Sequence, residues 1–360
     1  MAKIVIIGGG PGGLYATLEA KKQGHDVLLL EKNKIGQNIR CAEGFFDVLQ
    51  ILDKPPAGIK YKVEELIVKV KSEHTINVNP LHIWMTDRAT WQKELAKQAV
   101  NAGAIIKEDT PISPDDLKEL KQNYDYIIDA SGAFSVTSKS YGFIDFYKNN
   151  CGKTVQYTIS GDFSHLKNCF KVGLLPDFRG YYWIFPKGCK KDSTANVGIG
   201  NFDNSRYNLW KKLNDVLEFE NLNGEHYKIT KRYGGICPIK LLDKLVYDNI
   251  LLVGDAAGLT SPLHGGGIDM AIISGMQAVN AISQGTQAYE HLLKRQLSKR
   301  LEYEKMLAQV WDQRDFDEIE ELIGRISKSN LFSLMYNPKL MPLSTKLITS
   351  SFDLKGNPAN

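Results

Sequence analysis

Three stretches of this 360-residue chain carry residues whose types and spacing suit chemistry. The first is Gly8-Gly9-Gly10-Pro11-Gly12-Gly13, with the spacing Gly8-x-Gly10-x-x-Gly13, followed by an acid at Glu31. Gly8 permits a tight strand-to-helix turn, Gly10 lets a pyrophosphate approach the backbone, and Gly13 lets a helix sit close to a strand. The helix N-terminus offers N–H donors and a positive dipole end to phosphate. Glu31 stands where a carboxylate accepts hydrogen bonds from an adenosine ribose. The second stretch is Gly254-Asp255-Ala256-Ala257-Gly258 with Pro262-Leu263-His264-Gly265-Gly266-Gly267-Ile268. An aspartate at a strand end can hold a sugar-alcohol hydroxyl, and a glycine-rich helix start can hold a phosphate or an electron-rich oxygen. The third is Tyr181-Tyr182-Trp183-Ile184-Phe185-Pro186-Lys187-Gly188. Period two puts Tyr181, Trp183 and Phe185 on one face and Tyr182 with Ile184 on the other. Such a face suits the core, toward which the pattern alone leans, or the wall of a long apolar cavity.

Two single residues join them. Arg88 falls in the first turn of a helix, where the dipole disfavours a cation unless it faces an anion such as a phosphate. Cys41 lies on a polar, glycine-punctuated loop between Arg40 and Glu43. A free cysteine is usually a small buried hydrophobe, but a loop leaving the nucleotide site also allows one that faces the ligand.

The elements that must position these residues follow from periodicity. Ile4 to Ile7 reads as a buried strand, the helix after it carries Leu14 and Leu18 and ends at Gly24, and Val27 to Leu30 closes a βαβ unit. Residues 61–85 alternate as a short antiparallel excursion. Thr86 or Asp87 caps a helix with Trp91, Leu95 and Ala99 on one face. Tyr124 to Ala130 and Asn249 to Val253 read as further buried strands. Within 141–245, segments 154–160, 169–175, 180–185 and 194–200 form a mostly antiparallel sheet inserted into the α/β unit. Ile268, Ile272, Val279 and Ile282 mark the apolar side of a helix. Gln287 to Ser327 is helical, with Lys294 to Arg300 read as a solvated face. The stretch from Leu331 to Asn360 mixes apolar residues with prolines and is a candidate cover for a cavity or contact with a membrane surface.

Composition narrows the classes. With 43% hydrophobic and 24% charged residues the chain is an ordinary globular one, and a net charge of +4 is too small to indicate a nucleic-acid partner. No apolar stretch has the length of a membrane span, and a signal peptide would have to be cut from a core strand. Five cysteines without short regular spacing fit a reducing cytoplasm and supply no zinc or iron–sulfur pattern, so no metal is expected.

The order of βαβ with Glu31, Arg88, Gly254-Asp255 and the Gly265 to Ile268 turn resembles the FAD-binding domain of glutathione-reductase-like flavoproteins, in the branch built like p-hydroxybenzoate hydroxylase. Arg40-Cys41-Ala42-Glu43-Gly44 is similar to the R-C-G-E-G segment of the geranylgeranyl reductase family, with Ala42 replacing the usual glycine. Tyr181-x-Trp183-x-Phe185-Pro186 is similar to that family's Y-x-W-x-F-P motif, and Gly265-Gly266-Gly267-Ile268 with Ala271 and Ser274-Gly275 fits it too. The resemblance covers about the first 285 residues, through short motifs.

The resemblance implies FAD as cofactor. Gly8, Gly10, Gly12, Gly13, Glu31 and Lys32 would hold its ADP part. Arg40, Cys41, Ala42, Gly44, Arg88, Ala130, Gly132, Asp255, Gly265, Gly266, Gly267 and Ile268 would complete the site. Tyr181, Trp183 and Phe185 would line a prenyl cavity, which shifts the reading of that face from core to pocket. The implied fold is α/β: a Rossmann-like FAD-binding domain (1–60, 86–140 and 246–285), an inserted mostly antiparallel substrate domain (61–85 and 141–245) and a C-terminal helical region (286–360). The implied reaction saturates C=C bonds of an isoprenoid chain by hydride transfer from reduced flavin, with Cys41 the catalytic candidate. Two alternatives stand beside it: an aromatic monooxygenase or halogenase of the same fold, and a flavoprotein passing electrons to a quinone. A halogenase would show W-x-W-x-I-P, where this chain has Tyr181 and Phe185. No second dinucleotide-binding βαβ is visible, which leaves NADPH or ferredoxin as electron donor, and peripheral membrane contact stays open.

Overall fold

The computed structural model describes residues 1–188, 190, 193–203, 205–329 and 331–336. In chain order, the first half forms β1 (Lys3–Ile7), α1 (Pro11–Lys22), β2 (Asp26–Leu30), β3 (Gly44–Phe46), β4 (Ile59–Lys62), β5 (Glu65–Lys69), β6 (Glu73–Asn77) and β7 (Ile83–Thr86). Next come α2 (Arg88–Asn101), β8 (Ile105–Lys107), α3 (Pro114–Asn123), β9 (Tyr126–Asp129), α4 (Val136–Tyr141) and α5 (Asp145–Asn149). The inserted sheet adds β10 (Cys151–Gly161), β11 (Cys169–Gly173), β12 (Gly180–Pro186), β13 (Ser193–Asn201), α6 (Leu209–Phe219) and β14 (Lys228–Pro238). The chain then returns through β15 (Val246–Tyr247), β16 (Ile250–Leu252), α7 (Ile268–Gln284), α8 (Ala288–Asp312), α9 (Phe316–Ser327) and α10 (Leu331–Met335).

The first sheet has the order β15-β16-β9-β1-β2-β8, parallel except for β15. Ile4, Val5 and Ile6 are fully buried because helices cover both faces, which is why β1 reads as a continuous apolar run rather than an alternation. The helices that start at the two glycine turns, α1 and α7, pack on each other through small residues. A Cβ on Gly275 would meet Gly12 O at 2.3 Å, and one on Gly12 would meet Ala271 O at 3.0 Å. That close approach brings both glycine turns to one edge of the sheet, the edge where open α/β sheets bind ligands.

The second sheet has the order β14-β10-β13-β12-β11-β5-β6. The stretch 61–85, expected as a short antiparallel excursion, divides between two sheets. The β5–β6 hairpin extends the large sheet, with β5 running parallel to β11 from Cys169↔Glu65 to Gly173↔Lys69. β7 instead pairs with β3 and β4 in a three-stranded sheet. Strand β14 was not separately legible: its Lys, Arg and two glycines leave it partly exposed at the sheet edge, without clean alternation.

A further correction concerns Lys294 to Arg300. The solvated-face reading fails at its last residue: Arg300 is 1% exposed and bonds Asp269 Oδ2 at 2.5 Å and Glu304 Oε1 at 2.9 Å. It ties α8 to the first turn of α7. Of the stretch from Leu331 to Asn360, residues 337–360 lie outside the described residues; Phe332 and Tyr336 pack against the cluster of Val68, Ile83 and Phe170.

Candidate functional site

A single cavity of about 960 Å³ takes its lining from all these layers. The glycine turn after β1 forms part of it. Gly8 has φ +108°, and a Cβ there would lie 2.3 Å from Ala130 O. A Cβ on Gly13 would lie 1.9 Å from Gly8 O, whereas one on Gly10 would meet nothing within 4 Å. Gly8 and Gly13 thus close the turn, and Gly10 leaves open space at the cavity wall. Among the expected cofactor residues only Gly13 does not line the cavity; its part is packing. Gly10 caps α1 without a side-chain bond and Pro11 opens its first turn, leaving the helix N-terminus clear for an anion.

At the end of β2, Glu31 is fixed on its backbone side. Its Oε2 accepts from Gly9 N at 2.6 Å and its Oε1 from Asn33 N at 3.0 Å. Carboxylate lone pairs left over face the cavity, as hydroxyl recognition requires. Lys32 lines the cavity beside it.

Asp87 caps α2 by accepting from Thr90 N at 3.1 Å, which sets Arg88 as its first residue. Gln92, one turn on, accepts from Arg88 Nη2 at 3.0 Å and donates to Gly9 O at 2.9 Å, binding α2 to the first glycine turn. Arg88 Nε is buried without a hydrogen-bond partner and the residue lines the cavity. A buried guanidinium N–H so placed suits a phosphate.

Opposite lie Asp255, in the 3₁₀ turn Gly254–Ala257, and the second glycine turn. Burial pushes the Asp255 carboxyl up to about 6, with the Arg88 guanidinium pulling the other way. Gly254 N donates to Ser274 Oγ at 2.9 Å, so the turn is pinned to α7. Gly265, at φ +68°, would place a Cβ 2.6 Å from Phe202, and the N-terminus of α7 at Gly267 carries no side-chain cap. Gly265, Gly266, Gly267 and Ile268 all line the cavity, as do Ala130 and Gly132.

Between these turns and the large sheet lies the loop with Arg40, Cys41, Ala42 and Gly44, all lining the cavity. Cys41 Sγ accepts from Glu43 N at 3.2 Å. Its carbonyl accepts from Gln156 Nε2 at 3.4 Å and from Tyr233 OH at 3.3 Å. Tyr181, Trp183 and Phe185 face the cavity, while Tyr182 and Ile184 join the core behind β12, so the core reading that pattern alone favoured gives way to the pocket. Trp183 Nε1 donates to Gln156 Oε1 at 2.9 Å, and Phe185 stacks on Phe170 with centroids 3.9 Å apart.

Sequence reasoning missed several residues that hold this arrangement. Asp129, at the end of β9, accepts from Thr137 N at 2.9 Å and from Ser131 N at 3.0 Å, shaping the loop that carries Ala130 and Gly132. Gln156, Tyr233 and Asn196 had no local motif. Lys187 and Glu43 did stand inside quoted motifs, the one signal that was available. The four described cysteines are free, and the described residues hold no cluster suited to a metal.

A doubly glycine-capped α/β sheet, an acid at the end of β2 and an arginine with an open N–H fit FAD, and a family model for an FAD binding domain matches residues 3–74. The protein is an FAD-dependent oxidoreductase. It is 30% identical over 341 residues to digeranylgeranylglycerophospholipid reductase 2 of Methanococcoides burtonii, covering 83% of this chain and 81% of that protein. It is 27% identical to the digeranylgeranylglycerophospholipid reductase of Thermoplasma volcanium, over 95% of this chain and 96% of that one. The chain belongs to the digeranylgeranylglycerophospholipid reductase family. Among solved structures, a geranylgeranyl bacteriochlorophyll reductase-like protein from Thermoplasma acidophilum shares the fold with TM-score 0.79 at 23% identity, covering 98% of this chain and 97% of that chain. A flavin-dependent brominase matches less closely, with TM-score 0.65 at 17% identity over 99% of this chain and the whole of that one.

Proposed function

We propose that this protein saturates C=C double bonds in the isoprenoid chains of a prenyl lipid, using FAD. The observation that carries the reading is that one continuous cavity joins the glycine-turn cradle to the aromatic face of β12. FAD bound there in its reduced form would supply the hydride to one alkene carbon, and a proton from a side chain or water would complete the other. The chain's own part is binding, orientation and exclusion of water. Gly10, Glu31, Arg88 and Asp255 hold the cofactor, together with the other glycine-turn residues that line the cavity. Tyr181, Trp183 and Phe185 hold the apolar chain. An unactivated alkene stabilises charge poorly, so its carbons must be held tightly in a dry site. Cys41, on the loop between cradle and aromatic wall, is the residue assigned to the chemistry.

NADPH or ferredoxin is the electron donor in this reading. No helix among the described residues is long and apolar enough to cross a membrane, and contact with lipid is peripheral. The cofactor domain comprises 1–60, 86–140 and 246–285, the substrate domain 61–85 and 141–245.

The test is mass spectrometry of prenyl lipid incubated with the holoenzyme before and after dithionite reduction. The expected result is a gain of two mass units for each bond reduced, about 2 Da per hydrogen pair. Lipid that keeps its unsaturation while the flavin reoxidises with quinone would overturn the reading in favour of electron transfer.

A further inference from the structure

We propose that Glu43 is a positioning residue that sets the Cys41 thiol and the Arg88 cation in one register. The proposal deepens the reductase reading and rests on it for the role of Cys41.

Glu43 is 6% exposed and has φ +67°, a left-handed backbone that a glycine would adopt without strain. The chain keeps a carboxylate there instead, and every polar group of the residue is used. Its N–H donates to Cys41 Sγ at 3.2 Å. Its carbonyl accepts from Thr86 N at 3.0 Å and Thr86 Oγ1 at 2.8 Å, at the end of β7. Its Oε1 accepts from Arg88 N at 3.1 Å, at the start of α2. Its Oε2 accepts from Lys187 Nζ at 2.5 Å and from Asn196 Nδ2 at 3.1 Å. Asn196 also donates to Ala42 O at 3.0 Å.

One side chain therefore joins three parts of the molecule. Lys187 follows the aromatic strand β12, Asn196 lies on β13, and Arg88 opens the helix bound to the first glycine turn. The left-handed turn aims the amide of Glu43 back at the sulfur two residues earlier. A backbone N–H donating to the sulfur fixes the direction in which it points. A carboxylate buried this deeply stays in place only because its partners stay. Moving it moves the thiol and the backbone at the start of α2, from which the Arg88 guanidinium extends, together.

The alternative is a staple that holds the junction of the sheets and nothing more. The experiment separates the two with holoenzyme carrying Glu43→Gln, which keeps the size, and Glu43→Gly, which suits the backbone but removes the carboxylate. Three readouts are taken: bound FAD from the visible spectrum, the rate of Cys41 alkylation by iodoacetamide mapped to its peptide across the pH range, and kcat and KM on prenyl lipid. Both variants are expected to fold and retain FAD, with the Cys41 alkylation rate changed by about threefold or more across the profile. On the lipid, kcat is expected to fall by about tenfold or more with KM nearly unchanged. An unchanged Cys41 profile in both variants overturns the proposal. If neither folds, Lys187→Gln withdraws an outer partner of the carboxylate while every loop residue stays as it is; the same change in rate is expected, and an unchanged profile is again fatal. Wild-type enzyme that leaves the lipid unreduced sinks the reductase reading, while the alkylation comparison still decides for or against Glu43.

Discussion

The turn at Gly8 to Gly13 and the loop at Arg40 to Gly44 are neighbours in the same cavity, yet they are held in opposite ways. The turn is held largely through its backbone: Gly13 sits over Gly8 O, Gly9 N bonds Glu31, and Gly9 O accepts from Gln92. The loop is held by side chains far away in sequence. Gln156 and Tyr233 reach the Cys41 carbonyl across separations of 115 and 192 residues, and Asn196 reaches Glu43 across 153. The shape of the glycine turn is thus encoded mostly by its own backbone, and the placement of the reactive loop by side chains of the assembled fold. Substitutions in the turn should damage folding and cofactor retention together. Substitutions around the loop should damage turnover and leave both intact.

The sharpest challenge comes from a long-range polar tie that lies outside the loop. Arg300 bonds two buried carboxylates, Asp269 and Glu304, and with His264 it holds Glu304 down to about 2 against the cost of burial. Arg300→Leu leaves Asp269 without its cation and Glu304 with only His264 beside it, at 3.7 Å, and should destabilise the holoenzyme by about 3–5 kcal/mol in thermal or urea unfolding. Glu304 has a depressed folded pKa, so its contribution is present above the unfolded value and lost as pH falls toward the folded one. The deficit of the variant should therefore shrink in acid. If Arg300→Leu unfolds like the parent and loses only turnover, structural and catalytic ties cannot be divided as drawn.

The glycine turn allows a paired test of smaller size. Gly13→Ala forces a Cβ to within 1.9 Å of Gly8 O, and overpacking of this kind costs about 1–3 kcal/mol, with FAD lost on gel filtration. Gly10→Ala meets nothing within 4 Å, so the melting temperature of the stripped protein should stay put while FAD affinity falls. Equal destabilisation by both would show that the turn does not separate packing from binding.

This contrast also explains what was legible beforehand. The cofactor half was readable because each residue there acts near its own place in the chain: glycine at a crowded turn, an acid at a strand end, Asp87 as a helix cap. The aromatic strand was readable as a face but ambiguous between core and cavity, since periodicity records which side a residue is on and not what lies beyond it. Gln156, Tyr233 and Asn196 were silent because their partners lie in other elements. Arg300 misled because a helical charge run is usually solvated, and only the docking of α8 on α7 buries its last member. The stretch 61–85 was legible as antiparallel strands, but β11, the parallel neighbour of β5, lies about a hundred residues on, beyond the reach of local pattern.

The effect that depends most on conditions is expected at Asp255, where binding and stability pull against each other. Its carboxyl is raised from 3.8 to about 6 by burial, with Arg88 opposing the shift. Between those two values the folded protein stripped of FAD holds a proton that the unfolded chain has released. Its stability contribution therefore declines as pH rises through that window and stays low above it. Asp255→Asn removes the titration, so the variant should gain on the parent between about pH 4 and pH 6 and keep a constant lead above. Urea unfolding of both proteins across this range measures the difference, and parallel profiles would mean that the carboxylate is solvated and unstrained. With FAD bound the order should reverse, because an aspartate that accepts a sugar-alcohol hydroxyl is worth more ionised than its amide. A site kept at a cost to the empty protein is then one whose residue is selected for the ligand.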